Sequence, residues 1–426
     1  MRSIVRSAAA YALICALLLA AMPVFSRAEM PESVDYAASI PLDLSSDTVK
    51  AEVTVKTFID GDTTHFFLSS PSTLDTGVVS ARYLAVNTPE STGKIEEYGK
   101  AAAAFTKARL ESAEAILIES DDSQWNRDSN GTRYLVWVWY RPQGVADYRN
   151  LNIELLQSGM AKANSSGQNR YGDTCMAAIA QAKAMKLGIY SGEKDPDFFY
   201  GAAIEVTMRE LRLHPEEYDG KKVACTGVIT LNSNNSVYVE AYDPETGLYF
   251  GLPVYYGYNL SGGGMEVLHV GNEARIVGTL QYYEAGGEYQ ISGITYRMMK
   301  PDDPGNIRKL SEGHAPACLA TDLQALLHGE VVLSTDEGTA AYDRSALALA
   351  TSVTLSGLTV ETVDAGESAT ILHCTQGEEA VTVRVAAVLD ADSLTGKTVD
   401  VRGVVATYEG QFLIKAFAQD GITILP

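Results

Sequence analysis

The sequence predicts a mainly β protein with helices (α+β), made of three small β-barrels in succession. Residues 50–192 contain five short runs of strand character with an alanine-rich helical stretch inserted between them. Residues 201–426 repeat one pattern of strands and glycines twice, at a spacing of about 125 residues. Five short strands with an inserted helix are typical of the closed oligonucleotide/oligosaccharide-binding (OB) barrel.

The elements of the first barrel follow from local patterns. The β-branched run 53–59 alternates apolar and polar residues, and Asp60-Gly61-Asp62 favours a turn because Asp-Gly tolerates positive φ. Phe105 and Leu110 are core candidates of the alanine-rich helix. The predicted strands are 53–59, 64–68, 78–86, 115–119 and 134–140, and the predicted helices are 97–112, 151–158 and 174–186, the last ended by Gly188.

The C-terminal repeat is defined by its glycines. Gly278 and Gly403 occupy equal positions in two similar stretches, and Gly227 and Gly357 match in the strands that precede them. A glycine inside a strand suits a bulge or sharp bend, which a small barrel needs. We therefore expect two smaller OB-like β domains, at 201–300 and 318–426, joined by a proline-containing linker at 301–317.

The first 28 residues have the pattern of a secretory signal peptide. Arg2 and Arg6 precede an apolar run from 8 to 25, and Ser26-Arg27-Ala28 places small residues where signal peptidase cuts. We expect cleavage after Ala28 and secretion. An uncleaved membrane anchor is the alternative, because the run is near the minimum length for spanning a bilayer. No other segment is long and apolar enough to span, and residues 29–49 are expected to be a polar linker.

The charge is distributed unevenly. The whole chain carries −21; residues 193–426 hold 15 basic and 33 acidic residues, whereas residues 50–192 are close to neutral. Nucleic-acid affinity depends on Lys and Arg that neutralise phosphates, so the acidic half is a poor surface for tracking a phosphate backbone. Its charge is better explained as solubilising an extracellular protein.

Four cysteines remain once Cys15 leaves with the signal segment: Cys175, Cys225, Cys318 and Cys374. An even number in an exported chain permits disulfides. Their wide spacing, without a CxxC pair, argues against a zinc site. Pairing of Cys318 with Cys225 or Cys374, and four buried free thiols, both stay open.

Five residues of the first barrel carry the chemistry that phosphodiester hydrolysis requires. Asp60 and Asp62 on one turn offer hard oxygen ligands for Ca²⁺. Glu90 can accept a proton from water. Arg82 and Arg133 are forked, permanently charged donors that match phosphate oxygens. Taken singly, each has an ordinary explanation as a hairpin turn or a surface charge, but their ordered occurrence together favours a site.

This ordered set resembles the staphylococcal nuclease (thermonuclease) family, over residues 50–192. The motifs that carry the resemblance are Ile59-Asp60-Gly61-Asp62-Thr63, Arg82-Tyr83-Leu84-Ala85-Val86-Asn87-Thr88-Pro89-Glu90, Glu97-Tyr98-Gly99, and Gly131-Thr132-Arg133-Tyr134 with the strand that follows. The resemblance implies an OB barrel with helices. It also implies that Arg82 and Arg133 are catalytic arginines that bind phosphate, and that Glu90 is the catalytic carboxylate.

The resemblance implies Ca²⁺ as the cofactor. Asp62 corresponds to a calcium ligand, and Thr88 to the residue that supplies a backbone carbonyl. Asn87 stands where the family has a second calcium-binding Asp. An Asn oxygen can still coordinate the ion, but one negative charge is missing, so we expect a lower affinity for Ca²⁺.

Two further departures concern the substrate. The segment before Arg133 has one extra residue, so the placement of Arg133 depends on the strand at 135–138. Residues 164–166, after Lys162, are Asn, Ser and Ser where nucleotide-stacking tyrosines are expected. Stacking contributes on the order of 1–3 kcal/mol per base. Weaker substrate binding, or a different substrate, would follow.

Two functional hypotheses result. The first is a secreted, Ca²⁺-dependent nuclease that hydrolyses phosphodiester bonds of DNA or RNA as a monomer. The second is a nuclease-like protein that binds nucleic acid or another ligand with weakened or lost catalysis, as Asn87 and the missing tyrosines suggest.

The C-terminal domains also have two explanations. Tyr282, Tyr283, Tyr289 and Tyr408 could stack bases and pass nucleic acid to the first barrel. The acidity of this half favours the other explanation, a structural role or a neutral or protein ligand. None of the six histidines forms a ligand cluster by spacing, and His65 is expected to be a surface strand residue.

Overall fold

A computed structural model describes residues 33–69, 74, 77–257, 260–284, 286–335, 338–408 and 410–426. The predicted signal segment, residues 1–28, lies outside this described part and stays a prediction. Within the described part, no helix combines the length and the apolar character that crossing a membrane requires.

Three closed five-stranded barrels follow one another along the chain, so the predicted mainly β fold class is confirmed. The first barrel and its short flanking strands are β1 (Lys50–Asp60), β2 (Thr63–Leu68), β3 (Val78–Tyr83), β4 (Val86–Asn87), β5 (Ala113–Glu119), β6 (Tyr134–Pro142), β7 (Arg149–Asn150) and β8 (Lys162–Ala163). Antiparallel pairs join β3, β2, β1, β5 and β6 in that order, and a parallel pair between β3 and β6 closes the ring.

Four helices accompany the first barrel: α1 (Tyr36–Ser39), α2 (Gly99–Glu111), α3 (Leu151–Gln157) and α4 (Gly172–Ala184). The alanine-rich stretch forms α2 as predicted, with Leu110 buried and Phe105 packed against the core. Asn150 caps α3, because its side chain accepts a hydrogen bond of 3.0 Å from the backbone N–H of Ile153. Trp137 and Trp139 are both fully buried in the core of this barrel.

The second barrel spans β9 (Ile204–Glu205), β10 (Lys222–Asn232), β11 (Ser236–Asp243), β12 (Leu248–Tyr255), β13 (Glu273–Tyr283), β14 (Glu288–Ser292) and β15 (Arg308–Ser311), with α5 (Met208–Leu213), α6 (Pro215–Tyr218) and α7 (Gly263–Val267). Its ring order is β10, β11, β12, β14 and β13. As in the first barrel, one pair is parallel, here β12 with β14.

The third barrel spans β16 (Leu319–Thr321), β17 (Glu330–Thr335), β18 (Gly338–Asp343), β19 (Ser352–Ala365), β20 (Thr370–Gln376), β21 (Glu379–Val385), β22 (Thr398–Tyr408), β23 (Gln411–Ala416) and β24 (Ile422–Ile424), with α8 (Leu323–His328), α9 (Arg344–Ala348) and α10 (Ala391–Leu394). Its ring is β19, β20, β21, β23 and β22, with β21 and β23 parallel. All three barrels therefore share one strand order.

The repeated glycines have the same structural reason in both C-terminal barrels. A Cβ on Gly278 would lie 2.6 Å from the carbonyl oxygen of Ser292 on the neighbouring strand. A Cβ on Gly403 would collide in the same way with the carbonyl oxygen of Lys415. Each glycine lets two strands approach closely at the bend that closes a small barrel.

Two segments expected as linkers contain ordered structure. The segment before the first barrel forms α1, whose Ala37 is fully buried in the core. The segment at 301–317 contains β15, which pairs with β13 of the second barrel. Leu333 on the β17–β18 hairpin packs into the core of the second barrel, although it lies within the predicted range of the third. The sequences of these segments contain no local pattern that predicts such tertiary contacts.

The four cysteines in the described part of the chain are free thiols, so the pairing of Cys318 with Cys225 or Cys374 is wrong. Three of the four are buried, whereas Cys318 is partly exposed. Cys175, Cys225 and Cys374 are each buried in the core of a different barrel. Their spatial separation prevents pairing. Burial raises the pKa of each of these three thiols to about 12, which keeps them unreactive.

Candidate active site

The turn between β1 and β2 forms the base of the site. Gly61 has no space for a side chain, because a Cβ would lie 2.8 Å from Thr88 Cγ2 and 3.0 Å from Ala102 Cβ. Thr106 on α2 donates a hydrogen bond of 2.6 Å to the Gly61 carbonyl. The predicted turn is therefore fixed against α2 and against the segment that contains Thr88.

Asp62 is buried, with 1% of its surface exposed, and donors surround its carboxylate. Oδ2 accepts a hydrogen bond of 2.8 Å from the backbone N–H of Thr88, and Oδ1 accepts one of 3.1 Å from the Thr63 hydroxyl. Oδ1 also forms an ion pair with Arg82. A buried carboxylate needs such partners, and removing one of them leaves an uncompensated charge.

Arg82 bridges two of the predicted metal ligands. One guanidinium nitrogen pairs with Asp62, and Nη2 donates a hydrogen bond of 2.7 Å to Asn87 Oδ1. Burial lowers the pKa of Arg82, while the negative charge of Asp60 raises it. An arginine remains charged across the physiological pH range, so the site keeps this cation.

The three residues expected to hold Ca²⁺ lie together. The side-chain oxygens of Asp62 and Asn87 converge on one cationic group, the Arg82 guanidinium, and Thr88 is bonded to Asp62. Oxygen is the donor type that a hard cation such as Ca²⁺ prefers, but here the Arg82 guanidinium occupies these side-chain oxygens. Among the described residues, no three His, Cys, Asp or Glu side chains gather as a metal cluster. Asp62 is thus the single carboxylate among these predicted ligands.

Arg133 enters the site next to Arg82 because β3 and β6 run in parallel, with Ala81 opposite Tyr134. Arg133 Nε donates a hydrogen bond of 2.8 Å to Asp128 Oδ2. Burial would raise the pKa of Asp128, but hydrogen bonds from Arg133 and Thr132 outweigh this effect and lower it. Asp128 therefore stays ionised and orients the Arg133 guanidinium.

Glu90 lies in the loop that follows β4 and is accessible to solvent. Its carboxylate is close enough to Asp60, Arg82 and Arg133 for all three charges to act on its pKa. Partial burial and the negative charge of Asp60 raise the pKa of Glu90, and the two arginines oppose this rise. A raised pKa brings a carboxylate closer to the ideal value for proton transfer near neutral pH.

Asp60 shares this environment. Burial raises the pKa of Asp60, while Arg82 and Arg133 lower it. The two arginines, Glu90 and Asp60 thus form one electrostatic cluster, and Asp62 is joined to it through Arg82.

The structure assigns contacts that sequence reasoning missed. Asp128 was not predicted as a site residue; the Asp-x₄-Arg spacing that ends at Arg133 is the signal that could have found it. Glu96 accepts a hydrogen bond of 3.3 Å from the backbone N–H of Glu90, and its charge also raises the pKa of Glu90. No local pattern indicated Glu96, because the contact depends on how the loop bends.

The segment that lacks the expected tyrosines lies beside the site. Lys162 on β8 pairs with Asn87 on β4. The Ser166 hydroxyl donates to the carbonyl of Ala85, and the backbone N–H of Asn164 donates to the same carbonyl at 3.2 Å. Small polar residues therefore fix this segment beside the site through hydrogen bonds.

Residues 80–192 match the family model described as staphylococcal nuclease homologue. The match covers about a quarter of the chain and contains Arg82, Glu90 and Arg133. Strands β1 and β2, with Asp62 in the turn between them, precede the matched segment but belong to the same closed barrel. We call residues 50–192 the nuclease-type domain. The two C-terminal barrels lie outside the match.

The C-terminal tyrosines lie at the surface. Tyr282, Tyr283 and Tyr408 are exposed, and Tyr282 packs edge-on against Tyr289 with 5.2 Å between ring centroids. Their use in stacking bases stays a prediction. His65 is partly buried on β2, and burial together with Lys56 lowers its pKa.

Proposed function

We propose that the nuclease-type domain is a phosphodiesterase that cleaves DNA or RNA. The observation that supports this proposal is the electrostatic cluster of Arg82, Arg133 and Glu90 beside a buried acidic turn. Burying a carboxylate costs free energy, and ordinary surface arginines have no buried partner of this kind. The buried Asp62 that holds an arginine therefore distinguishes this cluster from scattered surface charges.

Each residue of the cluster has a defined task. Arg82 and Arg133 present forked donors to the phosphate oxygens and stabilise the charge that develops on phosphorus. Arg82 is held by Asp62, and Arg133 by Asp128, so both guanidinium groups are oriented before a substrate arrives. Glu90 accepts the proton of the attacking water.

We further propose Ca²⁺ as the cofactor, held by Asp62, Asn87 and the backbone carbonyl of Thr88. When bound, the ion supplies positive charge beside the reacting phosphate. Only one of these ligands is a carboxylate, and Arg82 already occupies the side-chain oxygens of both Asp62 and Asn87. We therefore expect weak binding, with a Kd on the order of 0.1–1 mM.

The test is cleavage of single- and double-stranded DNA and of RNA by the purified chain, across a Ca²⁺ series and with a chelator. We expect cleavage that rises with Ca²⁺ and falls about 10²- to 10⁴-fold in Glu90→Gln. Glu52→Gln is the matched control, because it removes an exposed carboxylate on β1 of the same barrel but not the proposed base. No cleavage at any Ca²⁺ concentration, or equal cleavage by Glu90→Gln, would overturn the proposal.

A second candidate is a nucleic-acid-binding protein with little or no catalysis. Asn87 in place of a carboxylate, and the small polar residues around Ser166, favour it. Binding of an oligonucleotide without turnover, with affinity lost in Arg133→Ala, would support this candidate. Turnover that depends on Glu90 would exclude it.

We also propose that the protein is exported, on the pattern of residues 1–28. Amino-terminal sequencing of the mature protein tests this, with residue 29 as the expected first residue. A mature chain that still begins at residue 1 in the membrane fraction would support the anchored alternative.

A further inference from the structure

The loop that carries Glu90 links β4 to α2 and has no regular secondary structure. We call residues 90–98 the Glu90 loop. Its start and end are tied together, since the backbone N–H of Glu96 donates a hydrogen bond of 2.9 Å to the Glu90 carbonyl. A loop of this length, exposed on a barrel, ordinarily moves. The position of the proposed base therefore depends on what fixes this loop.

Two side chains of the second barrel bind the backbone of the Glu90 loop. Gln281 Nε2 on β13 donates a hydrogen bond of 2.7 Å to the carbonyl of Ser91. The Ser292 hydroxyl on β14 donates one of 3.0 Å to the carbonyl of Gly93 and also contacts the Gln281 side chain. Gln281 is 8% exposed and Ser292 is fully buried, so these bonds are shielded from water.

The backbones are in close contact at the same place. A Cβ on Gly293 would lie 2.7 Å from the carbonyl oxygen of Gly93 and 3.2 Å from Lys94 Cα. Gly293 also has a φ of +65°, a conformation that favours glycine. Both observations indicate that this strand end is shaped to receive the loop.

The far end of the loop is held separately. The backbone N–H of Tyr98 donates a hydrogen bond of 2.5 Å to Asp195 Oδ2, and Asp195 is only 3% exposed. The Tyr98 hydroxyl lies 2.9 Å from Ser191 Oγ and donates to the carbonyl of Glu193 at 3.0 Å. The loop is thus held at its start and middle by the second barrel and at its end by the segment after α4.

We propose that the second barrel acts as a clamp on the Glu90 loop, with Gln281 and Ser292 as positioning residues for the proposed base. This inference depends on the proposed function for its catalytic consequence, but not for the clamp itself. Both residues lie outside the segment that matches the nuclease family, so the clamp is supplied by the added C-terminal part of this chain. A carboxylate misplaced by about 1 Å can cost about 100-fold in rate.

The clamp is tested with Gln281→Met and Ser292→Ala, alone and combined, in the full chain. Both substitutions keep the approximate volume and remove the donor, so the barrels should still fold. We expect faster amide hydrogen exchange in residues 91–97 and a kcat reduced about 10- to 100-fold, with KM nearly unchanged.

Glu284→Gln is the matched control. Glu284 bonds Lys107 on α2 at 2.8 Å across the same interface but does not bind the loop. Exchange in residues 91–97, kcat and KM should be unchanged in this variant. Unaltered exchange in the Gln281→Met, Ser292→Ala double variant would overturn the clamp, whether or not the protein cleaves nucleic acid. Faster exchange with an unchanged kcat would overturn the positioning role.

Discussion

The nuclease-type domain and the third barrel place an arginine at the same point of one topology. Arg82 is the penultimate residue of β3, and Arg384 is the penultimate residue of β21; each lies where its strand pairs in parallel with another. The second barrel has the buried Val254 at this point. Three barrels with one strand order therefore carry arginine, valine and arginine at the point where two strands pair in parallel.

The first barrel surrounds its arginine with the other residues of the candidate site. Arg82 is largely buried against Asp62, whereas Arg384 is exposed and lies opposite Lys415. The difference is the acidic turn between β1 and β2, which supplies a buried counter-charge. Function thus comes from the side chains placed on a fold and not from the fold itself.

Substituting the two arginines should give the largest difference between the first and third barrels. Arg82→Lys keeps the charge but removes the fork that bridges Asp62, Asn87 and phosphate, so we expect cleavage to fall about 10²- to 10³-fold. Arg384→Lys, at the equivalent point of the third barrel, should leave cleavage unchanged. Steady-state cleavage rates measure both. Equal losses in the two variants would contradict the assignment of the site to the first barrel.

The second and third barrels bury ionisable side chains where they meet. Glu288 is 7% exposed and lies near Arg212 and Lys415, and burial raises its pKa to about 7. In the described residues, its Oε2 has no hydrogen-bond partner. The stability that neutral Glu288 contributes is fully present below pH 4.5 and is lost as pH rises through 7. By pH 8 the loss is about 3 kcal/mol.

Glu288→Gln should remove this pH dependence. We expect the difference in unfolding free energy between pH 5 and pH 8 to shrink by about 3 kcal/mol. Circular dichroism follows the unfolding of the whole chain. Tryptophan fluorescence reports the nuclease-type domain alone, because all three tryptophans lie there. A pH dependence as steep as that of the unsubstituted protein would contradict this role of Glu288.

Gly278→Ala and Gly403→Ala test whether the two C-terminal barrels are repeats. In each variant the added methyl group meets a backbone carbonyl of the neighbouring strand. We expect each to lose about 1–3 kcal/mol in urea unfolding. Gly77→Ala is the control, because nothing lies within 4 Å of a Cβ at that position. A loss of unfolding free energy in only one of the two variants would contradict the equivalence of the two C-terminal barrels.

The last prediction concerns the pH dependence of cleavage. Because the pKa of Glu90 is raised and the base acts when deprotonated, kcat/KM should rise about tenfold per pH unit in a limb that lies above pH 4.5. It should level off once Glu90 is ionised. Rates measured from pH 4 to 8 check this, and Glu90→Gln should lose the limb. A limb retained by that variant would assign the titration to another group.

The sequence by itself determined the local elements and the barrel repeat. Alternating β-branched runs, the Asp-Gly turn and glycines at equal spacing predicted β1, β2 and the two C-terminal barrels, because these patterns act over a few residues. The ordered motifs also selected Arg82, Glu90, Arg133 and Asp62, which the fold brings into one cluster.

Tertiary structure decided what those residues contact. Asp62 meets Arg82 only because β2 pairs with β3, and Asp128 orients Arg133 only through the bend of its loop. Gln281 and Ser292 lie roughly 190 residues from the loop that they bind, at a distance along the chain where no local pattern operates. The sequence therefore identified the candidate site residues, whereas their partners and their restraint arose from contacts that only the folded chain forms.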